Sequence, residues 1–149
     1  MPARPVLGIT TGDPAGIGPE VITRCLADPG LPGGVDFRLI GRASGHPPGQ
    51  PTPASAQAAW DALEEAAQFL QDGTIQAVIT GPVHKASLHA LGFPFPGQTE
   101  FFAARAGVGN FAMCLTGGPL TVALATGHLP LCDVPHLLRS DEIVRVGKL

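Results

Sequence analysis

Val6-Leu7-Gly8-Ile9-Thr10-Thr11-Gly12-Asp13-Pro14-Ala15-Gly16-Ile17-Gly18-Pro19-Glu20 is the stretch that decides the fold class of this chain. Val6 to Thr11 is a short, β-rich apolar run ended by Gly12-Asp13-Pro14, and Pro19 with Glu20 opens a pattern through Val21, Ile22 and Leu26 that fits a helix. Proline suits the first helical position because its missing N–H would be unsatisfied there anyway, and Glu20 complements the positive end of the helix dipole. Strand, glycine-rich loop and helix in that order begin an α/β fold.

The rest of the chain repeats the alternation. Asp36 to Ile40 reads as a second strand ended by Gly41, and residues 42–53 turn to Gly, Pro and Ser, a surface loop. Ser55 is the expected N-cap of an amphipathic helix whose Trp60, Leu63, Ala67 and Leu70 face inward, opposite Asp61, Glu64, Glu65 and Gln68. Ile75 to Thr80 is a continuous apolar strand, followed by a short helix to Leu91 with Gly92 beyond its end. Thr99 is placed to cap a helix through Ala106. Phe111–Thr116 and Leu120–Thr126 read as two strands joined by Gly117-Gly118-Pro119, a turn suited to an antiparallel hairpin, so a mixed sheet is expected. Pro130 and Pro135 prevent regular structure after His128, and a last helix starts near Ser140.

Composition narrows the class of partner. The chain has 149 residues, only 14% of them charged, with 20 glycines and 16 prolines and a net charge of −3 without a basic cluster. Nucleic-acid binding is not expected. The three cysteines, Cys25, Cys114 and Cys132, are an odd, widely spaced set without a Cys-x-x-Cys pair, which reads as reduced thiols. No apolar span has membrane length and the opening run is too short for a signal-peptide core, so a cytoplasmic protein without a membrane partner is expected.

Several segments carry candidate chemistry. The loop from Thr10 to Glu20 offers backbone N–H groups to an anion, or is a turn with Asp13 as its cap; both readings stand on local chemistry. It lacks the Lys-Ser/Thr of a P-loop, and Val21 stands where a dinucleotide fingerprint has Gly or Ala. Thr80-Gly81-Pro82-Val83-His84-Lys85 follows a buried strand, where open α/β sheets place ligand crevices, and Lys85 is either solvated or held for an anionic ligand. Gln98-Thr99-Glu100 offers an amide, a hydroxyl and a carboxylate in succession. His128, Cys132 and His136 are zinc-ligand types at helical spacing, but Pro130 and Pro135 oppose the continuous helix such a local site needs.

In order, these segments resemble the 4-hydroxythreonine-4-phosphate dehydrogenase family of vitamin B6 biosynthesis. The similarity lies in Ile9–Glu20, in Ile79–Lys85, in Phe95–Phe101 and in Val122–Leu131. It reaches only the N-terminal half of a family member, so residues 1–149 are expected to be a single N-terminal portion of an isocitrate/isopropylmalate-dehydrogenase-like fold. That fold has α/β/α layers, here with a mixed sheet and truncated relative to the family. The resemblance implies a homodimer using NAD or NADP and a divalent metal (Zn, Mg, Mn or Co). The implied reaction is oxidation of 4-phosphooxy-L-threonine, a small phosphorylated hydroxy acid, followed by decarboxylation to 3-amino-2-oxopropyl phosphate. By matching position His128 is implied as a metal ligand and Gln98 and Thr99 as substrate contacts, with Lys85 and Asp13 in the pocket wall.

Three departures from the family pattern bear on this. Gln98 replaces a histidine, exchanging a titratable imidazole for a neutral amide. The loop at 42–53 is much shorter. The family's other metal-binding histidines and further phosphate-binding residues fall in the half not matched. The sequence therefore also accommodates a catalytically inactive remnant that binds a phosphate metabolite, or a relative acting on 4-phospho-D-threonate or 4-phospho-D-erythronate.

Overall fold

A computed structural model describes residues 4–42 and 45–149; residues 1–3 of the opening run and 43–44 of the short loop lie outside the described residues. The chain divides into two compact units, Met1–Glu100 and Phe101–Leu149.

The first unit is built on β1 (Val6–Thr10), flanked by β2 (Asp36–Ile40) and β3 (Ala77–Thr80). Both neighbours pair with it in parallel, in the order β2-β1-β3. Parallel neighbours need crossover connections, which α1 (Gly18–Leu26) and α2 (Pro53–Gln71) supply. The chain moves to one side of β1 for β2 and to the other side for β3. Right-handed crossovers to opposite sides put the two helices on opposite faces. Accordingly, Val21, Ile22 and Leu26 of α1 share a groove with Ile9, Phe37 and Ile79 of the sheet. On the opposite face the Arg38 guanidinium stacks 4.0 Å over the Phe69 ring of α2. The α/β/α layering expected from the sequence is present.

Helix α2 starts earlier than its sequence pattern suggests. Thr52, not Ser55, is the N-cap, because Pro53 occupies the first helical turn. Ser55 instead closes a reciprocal capping box: its N–H donates to Thr52 Oγ1 at 3.1 Å, and the Thr52 N–H donates to Ser55 Oγ at 3.0 Å. The buried stripe is built on alanine, with Ala56, Ala59, Ala62, Leu63, Ala66 and Ala67 all buried. Small side chains allow the helix to lie close to the sheet. Trp60, expected on the inward face with Leu63, Ala67 and Leu70, is half-buried; its indole N–H donates to Glu64 and its ring meets Phe93 edge-on. Ile75 is buried but precedes β3, and its N–H bonds the Phe69 carbonyl at the end of α2.

After β3 come α3 (Lys85–Ala90), followed by Gly92 at φ +91°, and α4 (Gln98–Arg105), followed by Gly107 at φ +66°. Both glycines stand where a left-handed residue ends a helix. Thr99 lies inside the first turn of α4 rather than capping it.

The second unit holds β4 (Cys114–Gly117) and β5 (Leu120–Ala123), an antiparallel hairpin, then α5 (Val134–Leu137) and α6 (Ser140–Gly147). The hairpin turn is Gly118-Pro119, with Gly118 at φ +55°, the sign a type II′ turn requires at its first central residue. Both strands are shorter than expected. Among the described residues the hairpin pairs only with itself, so parallel and antiparallel pairings occupy two separate sheets, not one mixed sheet. The segment after His128, expected to be irregular, contains the single turn α5, which Pro135 can enter because it sits in the first helical turn. The Arg145 guanidinium bonds Glu142 within α6 and reaches Asn110 Oδ1 and the Phe111 carbonyl, tying this helix to the segment before β4.

Candidate functional site

Strand order β2-β1-β3 places a topological switch point between β1 and β3, where open α/β sheets form a crevice beyond the carboxyl ends of their strands. The two loops leaving those ends cross there. Gly12, at φ +70°, is pressed so closely on the neighbouring loop that a β-carbon would lie 2.2 Å from the Pro82 carbonyl oxygen. Gly81 is equally confined, by the Thr10 carbonyl oxygen at 2.5 Å from its would-be β-carbon. Its N–H donates to both the carbonyl and the hydroxyl of Thr10.

Within the glycine-rich loop, three N–H groups are committed to a turn. Asp13 N–H donates to the Pro82 carbonyl at 2.9 Å, Ala15 N–H to Asp13 Oδ1 at 2.9 Å, and Gly16 N–H to the Asp13 carbonyl at 2.9 Å. Asp13 is 3% exposed and organises this turn. It also lines a cavity of about 300 Å³ with Gly16, Ile17, Pro82, Val83 and His84. Beside that cavity the short loop folds back, its Gly49 N–H donating to the Ala15 carbonyl at 2.7 Å. Ile17 and His84 were not singled out by sequence. Both stand inside marked segments, Ile17 in the glycine-rich loop and His84 beside Lys85.

The remaining candidates of the first unit gather around Gly97. Lys85 is exposed at the start of α3, and its Nζ lies 3.6 Å from the position a Gly97 β-carbon would take; Glu100 Oε2 lies 3.2 Å from the same point. Gly97 is thus the gap between an ammonium and a carboxylate. Gln98 begins α4, and its Nε2–H donates to the Gly81 carbonyl at 3.3 Å, linking that helix to the end of β3. This bond orients the amide: reversing it would set two acceptor oxygens against each other. Gln98 Oε1 is then left buried without a hydrogen-bond partner. Thr99, next to it, is exposed. The tertiary structure brings Lys85, Gln98, Thr99 and Glu100 together and connects them to Asp13 through Gly81-Pro82. An exposed ammonium and an exposed hydroxyl suit an anionic group such as a phosphate or carboxylate.

His128 lies in the second unit. It is exposed, and it is the one non-glycine residue with positive φ among the described residues, at +58°. For a histidine this left-handed conformation is uncommon and is retained where the surroundings require it. A zinc site takes three or four protein ligands, and no such group of His, Cys, Asp and Glu converges among the described residues. His128, Cys132 and His136 therefore do not form a local zinc site, and Cys132 is an exposed thiol directed at Asp133. The described residues do not by themselves amount to a metal centre. No described helix is long and apolar enough to cross a membrane.

Against known proteins, residues 28–149 match the family model described as pyridoxal phosphate biosynthetic protein PdxA. A 4-hydroxythreonine-4-phosphate dehydrogenase of Chromobacterium violaceum is 33% identical, over 98% of this chain and 56% of its own length. Another, of Desulfosudis oleivorans, is 36% identical over 96% of this chain and 54% of its own. Among solved structures, a 4-hydroxythreonine-4-phosphate dehydrogenase from Burkholderia phymatum superposes with a TM-score of 0.83 at 26% identity, over 98% of this chain and 57% of that one. The chain thus spans about half the length of the curated relatives it matches.

Proposed function

We propose, for a chain that belongs to the PdxA family of pyridoxal phosphate biosynthetic proteins, that it supplies the substrate side of a nicotinamide-dependent oxidation of 4-phosphooxy-L-threonine. In this reading the oxidised acid loses CO₂ to give 3-amino-2-oxopropyl phosphate. The observation that carries the proposal is the gathering of Lys85, Gln98 and Thr99 at the carboxyl end of the parallel sheet, in a chain whose relatives bear the name of that dehydrogenase.

The residues present account for binding and orientation. The Lys85 ammonium meets an anionic group of the substrate, and the Thr99 hydroxyl donates to it. Gln98, held by the Gly81 carbonyl, orients the substrate but moves no proton, because a carboxamide does not titrate near neutrality. The proton released by the alcohol therefore leaves by another group. Asp13 supports the wall through its turn. His128 would be this chain's ligand to a divalent metal, which would supply Lewis-acid polarisation of the alcohol. A nicotinamide cofactor, NAD or NADP, would supply the hydride acceptor, and in this reading the working protein would be a cytoplasmic homodimer.

Calorimetric titration of the 149-residue protein with 4-phosphooxy-L-threonine, beside an assay of reduced nicotinamide with Zn²⁺, Mg²⁺, Mn²⁺ or Co²⁺, tests this. Binding is expected, and Lys85→Ala should weaken it about 10- to 100-fold, the value of one charge-assisted hydrogen bond. Absence of both binding and turnover overturns the proposal. A second reading is favoured by Gln98, a neutral amide that moves no proton. In it the chain binds the phosphorylated acid without turning it over, and binding without turnover under every metal selects it. Stronger binding of 4-phospho-D-threonate or 4-phospho-D-erythronate would reassign the substrate within the same class.

A further inference from the structure

Lys85 begins α3 and Gln98 begins α4, so the chain between the two helices has to bring them together. That connection, residues 91–97, contains Pro94 and Pro96. Neither has an N–H, and at these two positions the backbone can be held only through its carbonyl oxygens. Phe95, between them, is held through its own carbonyl: His89 Nε2 lies 2.9 Å from that oxygen. A carbonyl only accepts, so the ring nitrogen carries the proton, and both the neutral Nε2–H imidazole and the imidazolium can donate.

His89 stands one helical turn beyond Lys85, and residues at that spacing share a face of a helix. The face of α3 that carries them meets the connection at two successive points. His89 bonds Phe95, and Lys85 Nζ lies 3.6 Å from the position of a Gly97 β-carbon. Aromatic contacts and one backbone bond fix the first part of the connection. The Phe93 N–H donates to the Leu88 carbonyl at 3.1 Å, and the buried Phe93 ring meets both Trp60 of α2 and Phe95 edge-on at 5.3 Å. The His89 ring stacks on Phe93 at 6.4 Å. The His89 bond acts further along, on the residue that leads into Gly97 and Gln98.

We propose that His89 is a positioning residue of the site: by holding the Phe95 carbonyl it keeps Gly97 and Gln98 against the face of α3 that carries Lys85. It need not touch the substrate. Without that hold, the 3.3 Å bond from Gln98 to the Gly81 carbonyl would loosen, and the ammonium of Lys85 would lose its fixed spacing from Gln98 and Thr99. The consequence for binding rests on the reading of Lys85, Gln98 and Thr99 as substrate contacts; the hold on Gln98 does not.

Two variants of the 149-residue protein separate the hydrogen bond from the ring. His89→Phe keeps a ring beside Phe93 but donates nothing, whereas His89→Gln removes the ring and returns an N–H donor. The side-chain amide resonances of Gln98, assigned by their loss in Gln98→Ala, report its bond to Gly81. Calorimetric titration with 4-phosphooxy-L-threonine reports binding. His89→Phe should shift the Gln98 resonances and weaken binding about 2- to 10-fold, the range of one neutral hydrogen bond. His89→Gln should return both toward wild type, with far-UV circular dichroism unchanged in either variant. The opposite order, with phenylalanine tolerated and glutamine impaired, would assign His89 a packing role and overturn the inference. It is also overturned if His89→Phe leaves the Gln98 resonances in place, moves them without weakening the binding seen in the wild type, or loses its circular dichroism. A wild-type protein that binds no substrate removes the substrate reading alone, and the Gln98 resonances of the two variants then decide the inference by themselves.

Discussion

Gly12 and Gly81 are packed backbone against backbone: a β-carbon on Gly12 would lie 2.7 Å from the Gly81 carbonyl carbon, and one on Gly81 would lie 2.7 Å from the Gly12 nitrogen. This contact holds together the two loops that leave β1 and β3, and thereby fixes where Asp13, Lys85 and Gln98 sit relative to one another. The candidate site depends on two residues that carry no functional group.

Adding a methyl group at either position should therefore be costly. Gly12→Ala meets both a left-handed backbone and rigid neighbouring backbone, and is expected to lose about 3 kcal/mol or more. Gly73→Ala is the control, since Gly73 has φ +75° but nothing within 4 Å of its would-be β-carbon; it should lose only about 1 kcal/mol. Urea midpoints of the two variants compare them directly, and equal losses would show that crowding at the crossing is unimportant.

The capping box at the start of α2 predicts coupled losses. Thr52→Ala and Ser55→Ala should each cost about 1 kcal/mol. Because each side chain serves the other's N–H, the double variant should lose less than the sum of the two. Strict additivity in a double-mutant cycle would mean that one of the two bonds does not form in solution.

His128 offers a test that separates stability from function. Glycine is ordinarily about 0.5–1 kcal/mol worse than alanine at a regular position. At φ +58° the order should reverse, with His128→Gly about 1 kcal/mol more stable than His128→Ala. If His128 serves a ligand, both variants lose function alike while their stabilities diverge. Finding the alanine variant the more stable one would remove the left-handed strain from the account.

Acid should loosen α6 before the sheet. Hydrogen bonding to Arg145 holds the Glu142 carboxyl below its usual 4.5, and the bond from Arg139 holds Asp141 below its usual 3.8. A carboxylate whose folded pKa is depressed contributes stability above its unfolded value, and that contribution is lost as pH falls through the folded value. Amide signals of α6 should shift below about pH 4, where Glu142 and Asp141 take up protons. Arg145→Gln should bring the Glu142 titration, followed by its carboxyl carbon resonance, back toward the ordinary range; an unmoved titration would contradict the pairing.

Much of this architecture is legible in local sequence because it rests on local physics. Asp36–Ile40 is a strand where its residues predict one, Gly92 and Gly107 end helices as left-handed residues, and Gly118 turns the hairpin, since propensity and permitted φ belong to the residue itself. Boundaries shifted where two local signals competed, as at Thr52, where Pro53 took the first turn and made Ser55 the partner of the cap.

What local reading left open was decided by contacts between distant residues. The partner of the Asp13 N–H in the glycine-rich loop is one such contact: the Pro82 carbonyl, 69 positions beyond, takes it. The separation of the hairpin from the parallel sheet depended on strand partners, which alternation of side chains does not name. Gln98 and Lys85 met because β3 pairs beside β1 and brings Gly81 and Gly97 to one edge. Sequence by itself determined the elements, their order and the residue types on offer. Only the folded chain decided which polar groups remain free to act, because hydrogen-bond capacity is finite and its allocation depends on what lies within three ångströms, not on what lies adjacent in the chain.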